Sequence, residues 1–145
     1  MRDRPILITD LDALRLRGVL ASRAGAERDA EHLQELAVEL ERAYALGPAE
    51  LPRDVIRMHS RVQVLDLMSG ERRHLQLVFP KEADVAAQRI SVLAPLGTAL
   101  LGYREGDEVE WLMPGGLRRL LVEKVRQPME SERAAADGSV IAAAG

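Results

Sequence analysis

The rhythm of apolar positions changes near residue 50. Before it they recur every three or four residues; after it they alternate or gather in short blocks. Thr9 stands ahead of the first helical run with Asp12 three residues on, a capping-box pattern with Asp in the place usually held by Glu. Leu11, Leu14 and Gly18 follow at spacings of three and four, and Leu16, Val19 and Leu20 widen the apolar face. Residues 22–26, with Gly25, break the pattern. Leu33, Leu36, Leu40 and Ala43 resume it at a/d heptad spacing among Glu31, Glu35, Glu39, Glu41 and Arg42. Gly47-Pro48 is the predicted stop, because Gly suits the position after a helix and Pro cannot continue one. Two helices of ~14–18 residues, roughly 20–27 Å each, predict a short antiparallel helical hairpin, a coiled coil, over residues 1–50. Two core helices of one globule are the alternative; the narrow stripes and the self-sufficient look of the rest favour the hairpin.

From residue 51 the pattern is that of strands. Residues 54–59 and 61–68 are rich in Val, Ile and Leu, Ser69-Gly70 marks a turn, and residues 72–79 resume alternation through Leu75, Leu77 and Phe79. A polar connection over 80–88 leads to a strand at 89–93 and a short helix at 96–101 closed by Gly102. Residues 107–113 and 117–126 form a second hairpin across Pro114-Gly115-Gly116. The fold class is α+β, with an antiparallel β domain of about five strands and one short helix over residues 51–128. Beyond Gln127-Pro128 large apolar residues almost vanish, which predicts a disordered tail over 129–145.

Composition narrows the function classes. The 145 residues carry a net charge of −3, 47% hydrophobic residues and no cysteine. Disulfides, thiolate metal sites and cysteine nucleophiles are thereby excluded. The mild charge argues against independent nucleic-acid binding through bulk positive charge. No apolar run approaches the ~18 residues of a membrane helix, and Ile6-Leu7-Ile8 is too short for a signal core, so a cytoplasmic protein with no membrane association is expected.

Candidate chemistry is sparse. His32, His59 and His74 lack paired ligand spacing, so no metal site and no cofactor are expected. His59-Ser60 near Asp54 could evoke a triad, but no nucleophile elbow surrounds Ser60; packing at a strand end is the better reading of His59. Gly97, Gly102 and Gly106 do not fit a phosphate-binding loop. Of four aromatics, Phe79 and Trp111 fall in predicted strands and read as core rather than as a stacking platform.

The ordered set Thr9-Asp10-Leu11-Asp12, Leu51 to Val62 in sequence, Val78-Phe79-Pro80, Ala94-Pro95 and Pro114-Gly115-Gly116 resembles the GreA/GreB transcript-cleavage factor family from about residue 8 to 128. Pro-Gly-Gly alone is weak; the ordered set is specific. The resemblance implies an FKBP-like β domain that docks on the rim of the RNA polymerase secondary channel. It places docking at Leu93, Ala94, Pro95, Leu96 and Gly97. The family's loop carries Ser-Pro; here Pro95 matches, and Ala94 lacks the hydroxyl. Pro95 also suits the first turn of a helix for structural reasons alone.

Family members place acidic residues at the hairpin tip to help hold a catalytic Mg²⁺ inside the polymerase. The corresponding tip is Glu27, Arg28 and Asp29, with Arg28 at or near an acidic position and a hairpin shorter than the family's. Acidic residues near a helix N-terminus also need no functional explanation. Three functions stay open: a non-catalytic polymerase-binding regulator, expected as a monomer, that competes with Gre factors; a transcript-cleavage stimulator; and an interaction module acting on a metabolic partner. The first is preferred.

Overall fold

A computed structural model of the chain describes residues 6–22, 31–113 and 115–128. The hairpin tip (Glu27, Arg28, Asp29), Pro114 and the tail 129–145 lie outside the described residues. The side chains of His32 and Trp111 are likewise not described.

A short strand β1 (Leu7–Thr9) runs directly into helix α1 (Asp10–Ser22). The Asp12 amide donates to Thr9 Oγ1 at 3.2 Å, so Thr9 caps the helix as the sequence predicts. The inward face of α1 is not the predicted one. Leu11 and Leu14 are 51% and 66% exposed, while Asp12, Ala13 and Leu16 are buried. The reason lies upstream: Ile6 and, in β1, Ile8 and Thr9 are buried, and that anchorage sets the rotation of the helix that follows. Residues 12, 13, 16, 19 and 20 also satisfy helical periodicity, so the pattern admitted both faces.

Helix α2 (Glu31–Arg42) buries Leu33, Leu36 and Leu40 as predicted. It ends at Arg42, not at Gly47-Pro48. The Tyr44 amide donates to the Ile6 carbonyl at 2.9 Å, and β2 (Tyr44–Leu46) pairs in parallel with β1. Strand pairing next to the buried Ile6 and Ile8 replaces the last helical turn. Arg17 Nη2 donates to the Leu40 carbonyl at 3.1 Å. The start of α1 thus lies near the end of α2, and the helices run antiparallel.

Residues 54–59 do not form a strand. They are a compact irregular segment with a single bridge, Val55 to Arg104. Val55, Ile56 and Met58 are fully buried, which is why their apolar run reads like a strand. His59, at φ 71°, turns the chain into β3 (Arg61–Asp66). β3 leads through the 67–71 turn to β4 (Arg72–Val78). Two 3-10 turns (Pro80–Glu82 and Val85–Ala87) then carry the chain to β5 (Arg89–Ser91). Helix α3 (Pro95–Leu100), β6 (Glu108–Met113) and β7 (Gly116–Arg126) complete the fold.

The sheet order is β5-β4-β3-β7-β6. It is mixed rather than wholly antiparallel, because β5 pairs in parallel with β4. The 80–88 crossover returns the chain to the same end of the sheet before β5 begins. A bulge at Glu123 shifts the register between β3 and β7, where Gln63 pairs with Lys124 and Val64 with Val122.

One hydrophobic cluster joins Ile6, Leu16, Leu36 and Leu40 to Met58, Val64, Leu77, Leu101 and Val122. The helical part therefore shares a core with the sheet. One close approach is at Gly102 (φ +87°), where an added Cβ would lie 2.8 Å from Ile6 Cγ2.

Candidate functional site

The loop between β5 and α3 is built from backbone hydrogen bonds and two hydroxyls. The Val92 amide donates to the Val78 carbonyl at 2.8 Å, extending β5 by one link. Ser91 Oγ accepts from the Leu93 amide at 3.0 Å, and the Ser91 carbonyl accepts from the Ala94 amide at 3.0 Å. Ala94 (φ −70°, ψ 151°) is the N-cap without a side-chain cap, and Pro95 takes the first helical position, where its missing N–H costs nothing. Thr98 ties the helix back: its Oγ1 donates to the Val92 carbonyl at 2.7 Å and its amide to the Ala94 carbonyl at 2.9 Å.

Gly97 makes this closure possible. A Cβ there would sit 2.0 Å from the Ser91 carbonyl oxygen. Only glycine lets α3 press against the turn that feeds it.

The five predicted docking residues therefore divide. Leu93, 8% exposed, and Gly97 are buried and shape the loop from inside. Pro95 is exposed, and Ala94 and Leu96 are half-buried. The presented tip is small, apolar and rigid. No residue from 91 to 98 titrates, so the loop is suited to contact and not to acid–base or nucleophilic chemistry.

The triad constellation does not assemble. His59 is buried against Phe79, with ring centroids 5.8 Å apart, and its Nε2 lies 3.0 Å from Glu82 Oε1. Ser60 Oγ donates to Gln127 Oε1 at 2.7 Å and accepts from the Arg57 amide at 2.9 Å. Asp54 pairs with Arg104 at 3.0 Å, and its carboxylate holds the guanidinium pKa above its usual value. His59 thus packs at the entry to a strand, as the sequence predicts. Among the described residues no three His, Asp or Glu side chains converge on a metal-sized site.

Two carboxylates of the sheet, the buried Asp66 and the half-buried Glu123, are held below their usual pKa range. Asp66 accepts from Arg118 and, in the turn, from the Met68 and Ser69 amides at 2.8 and 3.1 Å. Glu123 accepts from Gln63 Nε2 at 2.9 Å and Arg72 Nε at 3.0 Å.

Sequence reasoning overlooked Ser91, Thr98 and Gln127. Ser91 had a signal, since a serine two residues ahead of the amide it accepts from is a common turn former. Gln127 had none: its Nε2 donates to the Arg53 and Val55 carbonyls at 3.1 and 2.7 Å, across more than 70 residues of chain.

Comparison with known proteins assigns these features to a family. Residues 51–127 match the model "Transcription elongation factor, GreA/GreB, C-term", and residues 4–44 match "Rnk N-terminus". The chain is 42% identical over 112 residues to the "Regulator of nucleoside diphosphate kinase" of Escherichia coli K12, covering 77% of this chain and 81% of that one. It is 36% identical over 131 residues to transcription elongation factor GreA of Rhodospirillum rubrum, covering 86% and 83%. A solved structure described as prokaryotic transcription elongation factor GreA/GreB from Nitrosomonas europaea superposes with a TM-score of 0.73 at 39% identity, over 83% of this chain and 98% of that one. The chain belongs to the GreA/GreB family of transcription elongation factors and carries an Rnk-type N-terminus.

Proposed function

We propose that this protein is a non-catalytic regulator of transcription that binds RNA polymerase at the rim of its secondary channel. The observation that carries the reading is the Ala94-Pro95-Leu96 tip: apolar, presented to solvent and locked by Ser91, Gly97 and Thr98 at the position where the family resemblance puts the docking loop. A preformed apolar tip loses little conformational entropy on docking, which favours a specific protein partner. In this reading residues 51–128 are the docking part, FKBP-like in shape, and the helical hairpin within residues 1–50, coiled-coil-like in its packing, stands at the channel entrance. The helices are 13 and 12 residues in their described extents, roughly 18–20 Å. Such a hairpin occupies the entrance and excludes longer Gre factors without delivering Glu27 or Asp29 to the catalytic metal. An effect on nucleoside diphosphate kinase, which the name of the Escherichia coli relative describes, would then arise through transcription.

The test is Pro95→Arg. Pro95 is exposed, so the variant keeps the wild-type melting temperature, while affinity for core RNA polymerase falls more than tenfold. Unchanged affinity in a folded variant would refute docking through this tip.

A further inference from the structure

The outward face of the sheet concentrates positive charge. Residues paired across adjacent strands project to the same face. Arg89 pairs with Gln76, Gln76 with Arg61, and Arg61 with Arg126. One row therefore crosses β5, β4, β3 and β7, spanning roughly 14 Å at about 4.8 Å per strand. The next row is His74, Gln63 and Lys124. Val62, Leu77, Val122 and Val125 are buried on the opposite face, in the core. At the β5 edge Ala87 and Gln88 form a wall, and the face becomes an open cavity of about 410 Å³. That volume lies in the range of small-ligand sites, about 300–1,000 Å³.

The lining of this cavity is basic. The whole chain is at −3, yet among the described residues the lining holds Arg61, Arg89, Lys124 and Arg126 and no carboxylate. Arg89, Lys124 and Arg126 are exposed and form no ion pair among the described residues. The nearby carboxylates are engaged elsewhere: Glu123 holds Gln63 and Arg72, and Asp84 caps the Val85–Ala87 turn. Arg61 and Arg126 stand directly opposite one another across β3 and β7.

We propose that this groove binds a small polyphosphate anion, either inorganic or the phosphate chain of a nucleotide, through Arg89, Arg126 and Lys124 with Arg61 at its centre. Planar guanidinium forks match phosphate oxygens bidentately, and the lysine adds a point charge. Among the described residues the lining has no Phe, Tyr or Trp, and its one ring is the His74 imidazole, which argues against the stacking platform that single-stranded nucleic acid uses. The proposal concerns a different face from the Pro95 tip and does not rest on polymerase docking.

The test is calorimetric titration of the full chain with tripolyphosphate and with ATP at low ionic strength. Both bind saturably; equal affinities identify the phosphate chain as the whole ligand, and tighter ATP binding adds a nucleoside contact. Arg89→Gln and Arg126→Gln each weaken binding about tenfold, the scale of one lost charge-assisted hydrogen bond. Unliganded Arg126→Gln keeps or raises the wild-type melting temperature, which separates a binding role from a structural one. Absence of binding at millimolar tripolyphosphate, or unchanged affinity in both variants, would overturn the proposal. So would a single-stranded RNA or an acidic peptide that binds through these arginines and is not displaced by tripolyphosphate.

Discussion

Replacing Gly97 with alanine tests whether the β5–α3 loop is as tightly closed as its geometry states. In an unhindered helix Gly→Ala stabilises by about 1 kcal/mol, because glycine gives up more backbone freedom on folding. At Gly97 the new Cβ would lie 2.0 Å from the Ser91 carbonyl oxygen and 2.9 Å from its carbon, where ordinary contact begins near 3.4 Å. Backbone, not a flexible side-chain end, must retreat by about 1.4 Å. That displacement pulls on three hydrogen bonds: Ala94 amide to Ser91 carbonyl, Thr98 Oγ1 to Val92 carbonyl, and Thr98 amide to Ala94 carbonyl. Their loss, about 1 kcal/mol each, adds to an overpacking cost of about 1–3 kcal/mol. Against the helix-propensity gain, the net destabilisation is about 3–5 kcal/mol, a large share of the roughly 5–15 kcal/mol typical of a folded domain. Urea unfolding followed by circular dichroism should show the midpoint falling by about 1 M or more. Gly18→Ala is the matched control. It lies within α1 with nothing within 4 Å of its Cβ position, and it should raise stability by about 0.5–1 kcal/mol. If Gly97→Ala were as stable as wild type, the close approach would be wrong and the rigid-tip reading would lose its basis.

Other consequences follow from the same packing. Leu14→Glu should change stability by less than about 0.5 kcal/mol, because Leu14 faces solvent, whereas Leu16→Ala should cost about 2–5 kcal/mol; equilibrium unfolding of both variants checks which face of α1 is inward. Gly102→Ala should destabilise through both the φ of +87° and the 2.8 Å approach to Ile6, and hydrogen exchange should show β1 opening before the sheet does. Asp66, held low first by its hydrogen bond from Arg118, contributes stability that is fully present above its unfolded value near 3.8 and is lost as pH falls through its lower folded value. Asp66→Asn should therefore flatten the fall in urea midpoint below about pH 4; an unchanged acid limb would show that the pair carries no such linkage.

Much of this fold was legible in the chain because local signals agreed with tertiary ones. Thr9 caps α1, Leu33, Leu36 and Leu40 face inward, and β6 and β7 pair antiparallel as alternation predicts. The misreadings share one cause: long-range contacts that override local pattern. β2 takes residues 44–46 out of helix because Ile6 offers a carbonyl and a buried neighbour from the other end of the helical pair. The stripe on α1 was ambiguous by one rotation, and the strand ahead of it settled the choice. Residues 54–59 are apolar because they are buried, not because they pair with a sheet. At the candidate site, Pro95 was readable from its resemblance and its place at a helix start. The division of labour within Leu93 to Gly97 was not, since burial inside a five-residue loop depends on which backbone presses against it. The basic row on the sheet was invisible in sequence: Arg61, Arg89 and Arg126 are separated by 28 and 37 residues and meet only through strand register.

The most direct test of the central claim is binding of the full chain to purified core RNA polymerase, with and without a Gre factor as competitor. Saturable binding that the Gre factor displaces, and that Pro95→Arg abolishes, is the predicted result. No binding at micromolar protein, or simultaneous binding of both factors, would contradict docking at the secondary channel.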